Sequence, residues 1–397
     1  MAGGAYRHHC EKNAMKITSI DIITVIVPTI PGRVHSASFG PASWDQVPKH
    51  IIRLNTDEGI YGLGETSRGT PEEAIRQGFN QLKGRDPLKL SLQNVFRDAA
   101  THRNTVMPFR DAVASEDEVG TRDWESLNGW GTGAGYEAFE MAVFDIVGKI
   151  RNCPVHELLG GAYRDRVPAD YWIGHQTPEE SALNARLGYD RGFHGVKMKC
   201  TSDEPMVALE QAILEATDIS FKCTIDPNQR FYRPAEAIAL AKQFEAVGNV
   251  GVLEDPMAKW NLDWYCQLRA ATTIPVALHL VNPHDIINAI KVEAVDIFNL
   301  GGSMWQFIYN AAIADAAGIP CWHGSGNDLG VMEMAYLHAA SVPRNCVMPS
   351  DFVGSWTRED DLIVDGIQFE KGEAIVPTKP GLGCELDEDA LEKYRIN

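Results

Sequence analysis

The sequence predicts an α/β protein in which a closed barrel of parallel strands follows an α+β segment. Three observations predict it. First, seven short apolar runs between about residues 165 and 345 each precede a helical stretch, the rhythm of a parallel sheet, and seven such units favour a closed barrel over an open sheet. Second, the part before residue 135 reads as strands and then helix, an α+β order. Third, residues 367–387, IQFEKGEAIVPTKPGLGCELD, turn strand-like again and return toward the N-terminal part.

Taken in order, MKITSIDIITVIVP from Met15 is rich in β-branched residues, and HIIRLNTDEGIYGLGE carries the turn signal Asp57-Glu58-Gly59 between two apolar runs. Between them lies a long loop of small residues with His35, Phe39 and Trp44, a length typical of functional lids. Residues 71–115 have helical spacing. GYEAFEMAVFDIVGKIRN is a helix that stops before Asn152-Cys153-Pro154, and a short helix ends at Gly160-Gly161.

The repeating units come next. VPADYWIG precedes a helix from Pro178, GVKMKC one around 203–217, and KCTIDP one around 233–247. GVLEDP is followed by LDWYCQLRA, PVALHL by HDIINAIK, AVDIFNL by FIYNAAIADAAG, and PCWHG by VMEMAYLHAAS.

Composition bounds the function. The chain has 397 residues, 44% apolar and 23% charged, enough for a sizeable core and for two domains or one large barrel with an appendage. A formal charge of -18 without a long basic run argues against nucleic acid and anionic membrane as partners. The eight cysteines form no CxxC pair and read as free thiols. No run of about 18 apolar residues is present, and the first 14 residues lack the apolar centre of a signal peptide, so they read as an arm. The cytoplasm is the expected address.

In such a barrel the chemistry sits at the C-terminal ends of the strands. That rule selects Lys197, Lys199, Asp226, Asn228, Glu254, His279, Asn299 and His323. Lys197 and Lys199 alternate along one strand, so both point inward, where two ammonium groups need anions. Crowded together near a metal, each is expected to have its pKa lowered toward neutrality and one to act as a base; solvated surface lysines are the plainer alternative. Asp226 and Glu254 end successive strands and, with Asn228, make a hard oxygen site suited to Mg2+, unless each merely caps the next helix.

The order Lys-x-Lys, Asp-Pro-Asn, Glu-Asp-Pro on consecutive strands resembles the mandelate racemase and muconate lactonizing group of the enolase superfamily. TDEGIYGLGE, AFEMAVFDIVGKIRN, ELLGGAYRDRVP and PTKPGLGCELDEDALEKY agree in kind and place, so the resemblance covers nearly everything from Met15. It implies a modified (β/α)7β-type TIM barrel over residues 136–364. It also implies an α+β capping domain built from 15–135 and about 365–397, with 1–14 as a mobile arm. The implied cofactor is Mg2+, which stabilises an enediolate made by removing the α-proton of a carboxylate. By position Lys199 resembles the base and Lys197 the partner that tunes it and contacts the carboxylate.

Two departures stand out. The group places a third carboxylate on the next strand, in a Gly-Glu step after a Pro-Val-Ala-like start; here His279 and Leu280 occupy that step. Leucine cannot bind a metal. His279 is the candidate third ligand if a bulge turns it inward, which favours another divalent ion, and a hydrogen-bonded structural histidine is the alternative. The group also pairs an aspartate on the sixth strand with a histidine on the seventh. His323 stands near the histidine's place as an acid or base, with a substrate hydrogen bond or a structural role as the alternatives, but Asn299 is the nearest polar residue to the missing aspartate.

The expected reaction is dehydration of a sugar acid by a single lysine base. A racemase, epimerase or cycloisomerase is the alternative within enzymes, and a metal-free binding homologue the alternative outside them. His35, Phe39 and Trp44 of the cap loop, with Tyr171, Trp172 and His175 on the first barrel strand, are expected to shape the pocket. A symmetric homo-oligomer is the expected assembly.

Overall fold

The computed structural model describes residues 15–39, 46, 48–90 and 135–396. Trp44, the arm 1–14 and the helical spacing beyond residue 90 lie outside the described residues.

Strands β1 (Ile17–Val25), β2 (Lys49–Thr56) and β3 (Tyr61–Glu65) form an antiparallel meander, as the β-branched runs and the turn at 57–59 predict. Helices Glu72–Leu82 and Tyr136–Arg151 cover it, and Ile17, Ile52, Leu54, Ile75, Phe139 and Ile146 share one buried core. The long helix lies directly on β3, because a Cβ at Gly62 or Gly64 would overlap the carbonyl oxygens of Ala142 and Ala138. This helix begins at the residue where the sequence reading starts the barrel, and its core is nevertheless that of the cap.

The cap helix also grips the barrel. Fully buried Glu140 accepts from Ser303 Oγ at 3.1 Å and from the Met304 amide at 2.7 Å, the N-terminus of helix Met304–Ala316.

The run VPADYWIG divides in two. Its first half, β4 (Arg166–Pro168), pairs with β13 (Glu373–Ile375) and through it with β12 (Phe369–Glu370) of the tail. Its second half, β5 (Tyr171–Ile173), opens a seven-stranded parallel sheet. The others are β6 (Gly195–Lys199), β7 (Lys222–Asp226), β8 (Val250–Glu254), β9 (Val276–Leu280), β10 (Ile297–Leu300) and β11 (Cys321–His323), in sequential order. Parallel bridges Cys321–Cys346 and Ala169–Ser350 make the stretch 346–351 the closing stave of the barrel. The Ser350 amide donates to Pro168 O at 2.7 Å and the Asp351 amide to His323 O at 3.0 Å.

Side-chain alternation then sorts the two faces. Val252, Ala277, Ile297 and Trp322 fill the barrel interior as one buried cluster, and their neighbours along each strand pack against the helices. Helix Glu388–Tyr394 ends the chain on the cap, where Ile26 N donates to Tyr394 O at 3.0 Å. No helix of the described residues is long and apolar enough to cross a membrane.

Candidate active site

Lys197 and Lys199 sit two residues apart on β6, and the parallel register sets Lys197 beside Thr224 and Lys199 beside Asp226. Both therefore face the interior, as alternation requires. Lys197 is buried, with Nζ 2.7 Å from Glu254 Oε2, 2.7 Å from Asp351 Oδ2 and 3.6 Å from Asp226 Oδ2. Burial alone pushes its ammonium down, but Asp351, Glu254 and Asp226 together lift it well above the ordinary lysine range. The expectation that both lysines are drawn toward neutrality is thus corrected for Lys197, which is a fixed cation. Lys199 is the more open of the two and pairs with Asp226.

Asp226 is fully buried, and its Oδ1 accepts from the Asn228 amide and side chain, each at 3.0 Å. Burial would raise its carboxyl, yet Lys199 and Lys197 hold it far below the usual carboxylate range. Glu254 is its opposite. Burial, and next the charge of Asp226, push Glu254 up to about 8 against the pull of Lys197. Asn299 Nδ2 donates to Glu254 Oε1 at 2.6 Å, while Asn299 Oδ1 is buried without a hydrogen-bond partner.

His279 faces the interior without a bulge, since its register places it beside Asn299 and two residues above Ala277. Leu280 consequently points outward into the apolar layer under the helices. The His279 amide donates to Asp255 Oδ1 at 2.9 Å, and its carbonyl accepts from Lys259 Nζ at 2.9 Å. Its Nδ1 lies 4.0 Å from Glu254 Oε1. Burial, then Lys259, Lys197 and Lys199, push the imidazole well below its usual pKa, so it is neutral.

Other sequence-predicted residues lie elsewhere. His323 is the outward neighbour of inward Trp322, packed between the rings of Phe307 and Tyr336 at 4.3 and 4.0 Å. Burial lowers its pKa to about 4, and its Nδ1 is 2.7 Å from Gly324 O. It does not reach the lysines. Tyr171 likewise points outward, stacked on Trp356 at 5.1 Å, so it lines no pocket at the mouth. Trp172 does face the interior beside Lys197. His35 sits on the rim, edge-on to His175 at 6.0 Å, and His175 Nδ1 is 2.7 Å from Glu204 Oε1.

Asp351 was not read from the sequence. It sits on the irregular closing stave, with neither an alternating strand pattern nor a following helix of ordinary length to mark it. A barrel carboxylate could have been sought there only by asking what closes the ring.

Beside the charged cluster opens a cavity of about 580 Å³, whose walls include Arg68 from the cap, His279, Gly301, Gly324, Asp328 and Tyr336. Three carboxylates (Asp226, Glu254, Asp351) face two ammonium groups (Lys197, Lys199). The surplus negative charge and the elevated Glu254 fit one bound cation.

Comparison with known proteins agrees with the fold. Residues 22–160 match the family described as mandelate racemase / muconate lactonizing enzyme, N-terminal domain, and residues 180–390 match the enolase C-terminal domain-like family. The chain is similar to an N-succinyl-L-Arg/Lys racemase of Bacillus cereus, 25% identical over 96% of this chain and 98% of that one. It is also similar to a D-galactonate dehydratase of Xanthomonas oryzae, 26% identical over 87% and 91% of the two chains. The crystal structure of the Bacillus cereus racemase superposes with a TM-score of 0.78 at 23% identity, covering 96% of this chain and 98% of that one, a likeness of fold.

Proposed function

Because the chain belongs to the mandelate racemase and muconate lactonizing group of the enolase superfamily, and is therefore a lyase or isomerase acting by α-proton abstraction on a small carboxylate, we propose that it dehydrates a sugar acid. One observation carries the choice. The strand ends opposite β6 are Gly301 and Gly324, and His323 is turned away behind β11. Proton chemistry is therefore concentrated on the Lys199 side.

Racemisation requires a donor on the face opposite the base, whereas elimination can proceed from one face. In this reading Lys199, having first given its extra proton to solvent, takes the α-proton of a 2,3-dihydroxy acid with its neutral Nζ, and the electron pair of the Cα–H bond forms a Cα=Cβ bond. The Cβ–O bond breaks, and the Lys199 ammonium returns the proton to the departing hydroxide as water. The resulting enol takes up a proton at Cβ while its hydroxyl gives one up to solvent, and it becomes a 2-keto-3-deoxy acid. Lys197, held by Glu254 and Asp351, stays charged and orients the substrate carboxylate. Trp172 and Trp322 wall the reacting centre from water on the barrel side.

A divalent cation fits the donor set, with Glu254 and His279 to hold it, and when bound it supplies positive charge where a second negative charge gathers on the substrate carboxylate. Asn299 orients Glu254 for that task. Within the same family, a racemase, epimerase or cycloisomerase is the second reading, favoured by relatives such as the Bacillus cereus racemase and a chloromuconate cycloisomerase of Cupriavidus pinatubonensis.

The test is a panel of sugar acids incubated in heavy water with the metal-loaded protein. Keto-acid product supports dehydration; exchange of the α-hydrogen without loss of water supports the second reading and overturns the first.

A further inference from the structure

We propose that the cation site is built by Glu254, Asp255 and His279, one strand over from the expected Asp226 position, and that it selects a d-block divalent ion such as Zn2+, Co2+ or Ni2+ over Mg2+. The inference rests on the reading that the site takes a divalent cation at all.

The geometry comes first. Glu254, Asp255 and His279 each present one ligand atom, and these atoms lie within 4.8 Å of one another. The 4.0 Å between His279 Nδ1 and Glu254 Oε1 is wider than the about 3.4 Å that separates two ligands of a tetrahedral ion with bonds of about 2.1 Å, so both side chains would draw together on a bound ion. Asp226 is engaged elsewhere, with Lys199 and Lys197 on one oxygen and Asn228 on the other. It is not among the residues whose ligand atoms gather within 4.8 Å of one another.

The assembly is also braced. Asp255 Oδ1 accepts the His279 amide, Asp255 Oδ2 pairs with Lys259 Nζ at 2.9 Å, and the same Nζ donates to the His279 carbonyl. That bracket fixes histidine and aspartate relative to each other, and among the described residues neither imidazole nitrogen takes part in a hydrogen bond. Asp255 adopts a left-handed φ of 43°, an unfavourable conformation for a non-glycine residue that such a network sustains. A carboxylate has lone pairs enough for these bonds and for an ion.

An independent sign of a missing partner lies next door. Asn299, whose Nδ2 bonds Glu254, has its Oδ1 fully buried on the Gly324 side with no hydrogen-bond partner among the described residues.

The donor set then selects the metal. Mg2+ favours oxygen ligands in near-ideal octahedral geometry, and imidazole suits Zn2+, Co2+, Ni2+ and Cu2+ far better. Leu280 removes the oxygen donor on this strand, and His279 supplies nitrogen in its place.

The experiment uses chelator-treated full-length protein titrated calorimetrically with Mg2+ and with Co2+, and with Cu2+ for electron paramagnetic resonance. Expected are Co2+ binding at least about tenfold tighter than Mg2+ and nitrogen superhyperfine splitting from bound Cu2+. His279→Gln should abolish the splitting and weaken Co2+ by about tenfold or more, while Asp226→Asn should keep the splitting. His279→Asp, folded by circular dichroism, should regain Mg2+ relative to Co2+. Equal Mg2+ and Co2+ affinities, splitting that survives His279→Gln, or splitting lost in Asp226→Asn overturns this site but leaves the family chemistry standing. A folded protein that binds none of these ions overturns both.

Discussion

The two halves of the barrel mouth are made from the same strand–helix unit and furnished in opposite ways. From β6 to β8 the inward strand tips are Lys197, Lys199, Asp226 and Glu254, all ionisable and mutually paired, with Asp351 joining them across the closure. From β9 to β11 and just beyond they are neutral His279, Asn299, Gly301 and Gly324, and an open volume with Arg68 and Asp328 on its walls takes the place of the paired lysines and carboxylates. The contrast separates two tasks. One half holds the proton and the charge; the other has room for the rest of a substrate.

Removing the base should break this asymmetry most severely. Lys199→Ala is expected to lower kcat for keto-acid formation by about 10³-fold, within the usual range for a positioned general base. Residual activity within tenfold of wild type would move the base elsewhere.

Asp170 sharpens the charged half from below. It lies under Lys197, accepts from Thr224 Oγ1 at 3.1 Å, and burial pushes it up to about 7. Its folded pKa is raised above the unfolded value, so its contribution to stability is whole below about pH 4 and lost as pH rises through about 7. Asp170→Asn stays neutral and should flatten that decline by on the order of 3 kcal/mol, read from denaturant midpoints between pH 4 and 8. Parallel pH profiles for the two proteins would refute the assignment.

Asp351 tests the closure. Asp351→Asn removes an ionic partner 2.7 Å from Lys197 and should cost about 2 kcal/mol of unfolding free energy, measured by chemical denaturation. An unchanged midpoint would mean that Glu254 and Asp226 suffice to hold the ammonium.

The smallest effect belongs to the uncharged half. His323→Leu should leave kcat/KM nearly unaltered and stability within about 1.5 kcal/mol, because the ring packs between Phe307 and Tyr336 with Nε2 unbonded. A large loss of kcat with normal stability would return His323 to the chemistry.

Much of this was legible in the chain. Each strand–helix unit could be read because helical and strand periods are local properties. Lys197 and Lys199 could be assigned to the interior because one strand carries both at a spacing of two. The reading failed where strands are short. β11 and β5 have three residues each, all buried, so nothing in Cys321-Trp322-His323 or Tyr171-Trp172-Ile173 says which side chain turns inward. His279 and Leu280 posed the same ambiguity, resolved only by register against Asn299 and Leu300.

By itself, then, the sequence determined the order of elements, the enzyme family and the kinds of charge on successive strand tips, because these follow from short-range pattern. Only the tertiary structure decided the phase of the shortest strands and the company Lys197 keeps. Lys197 and Asp351 are 154 residues apart and meet because the barrel closes, and ring closure is a property of all the strands together.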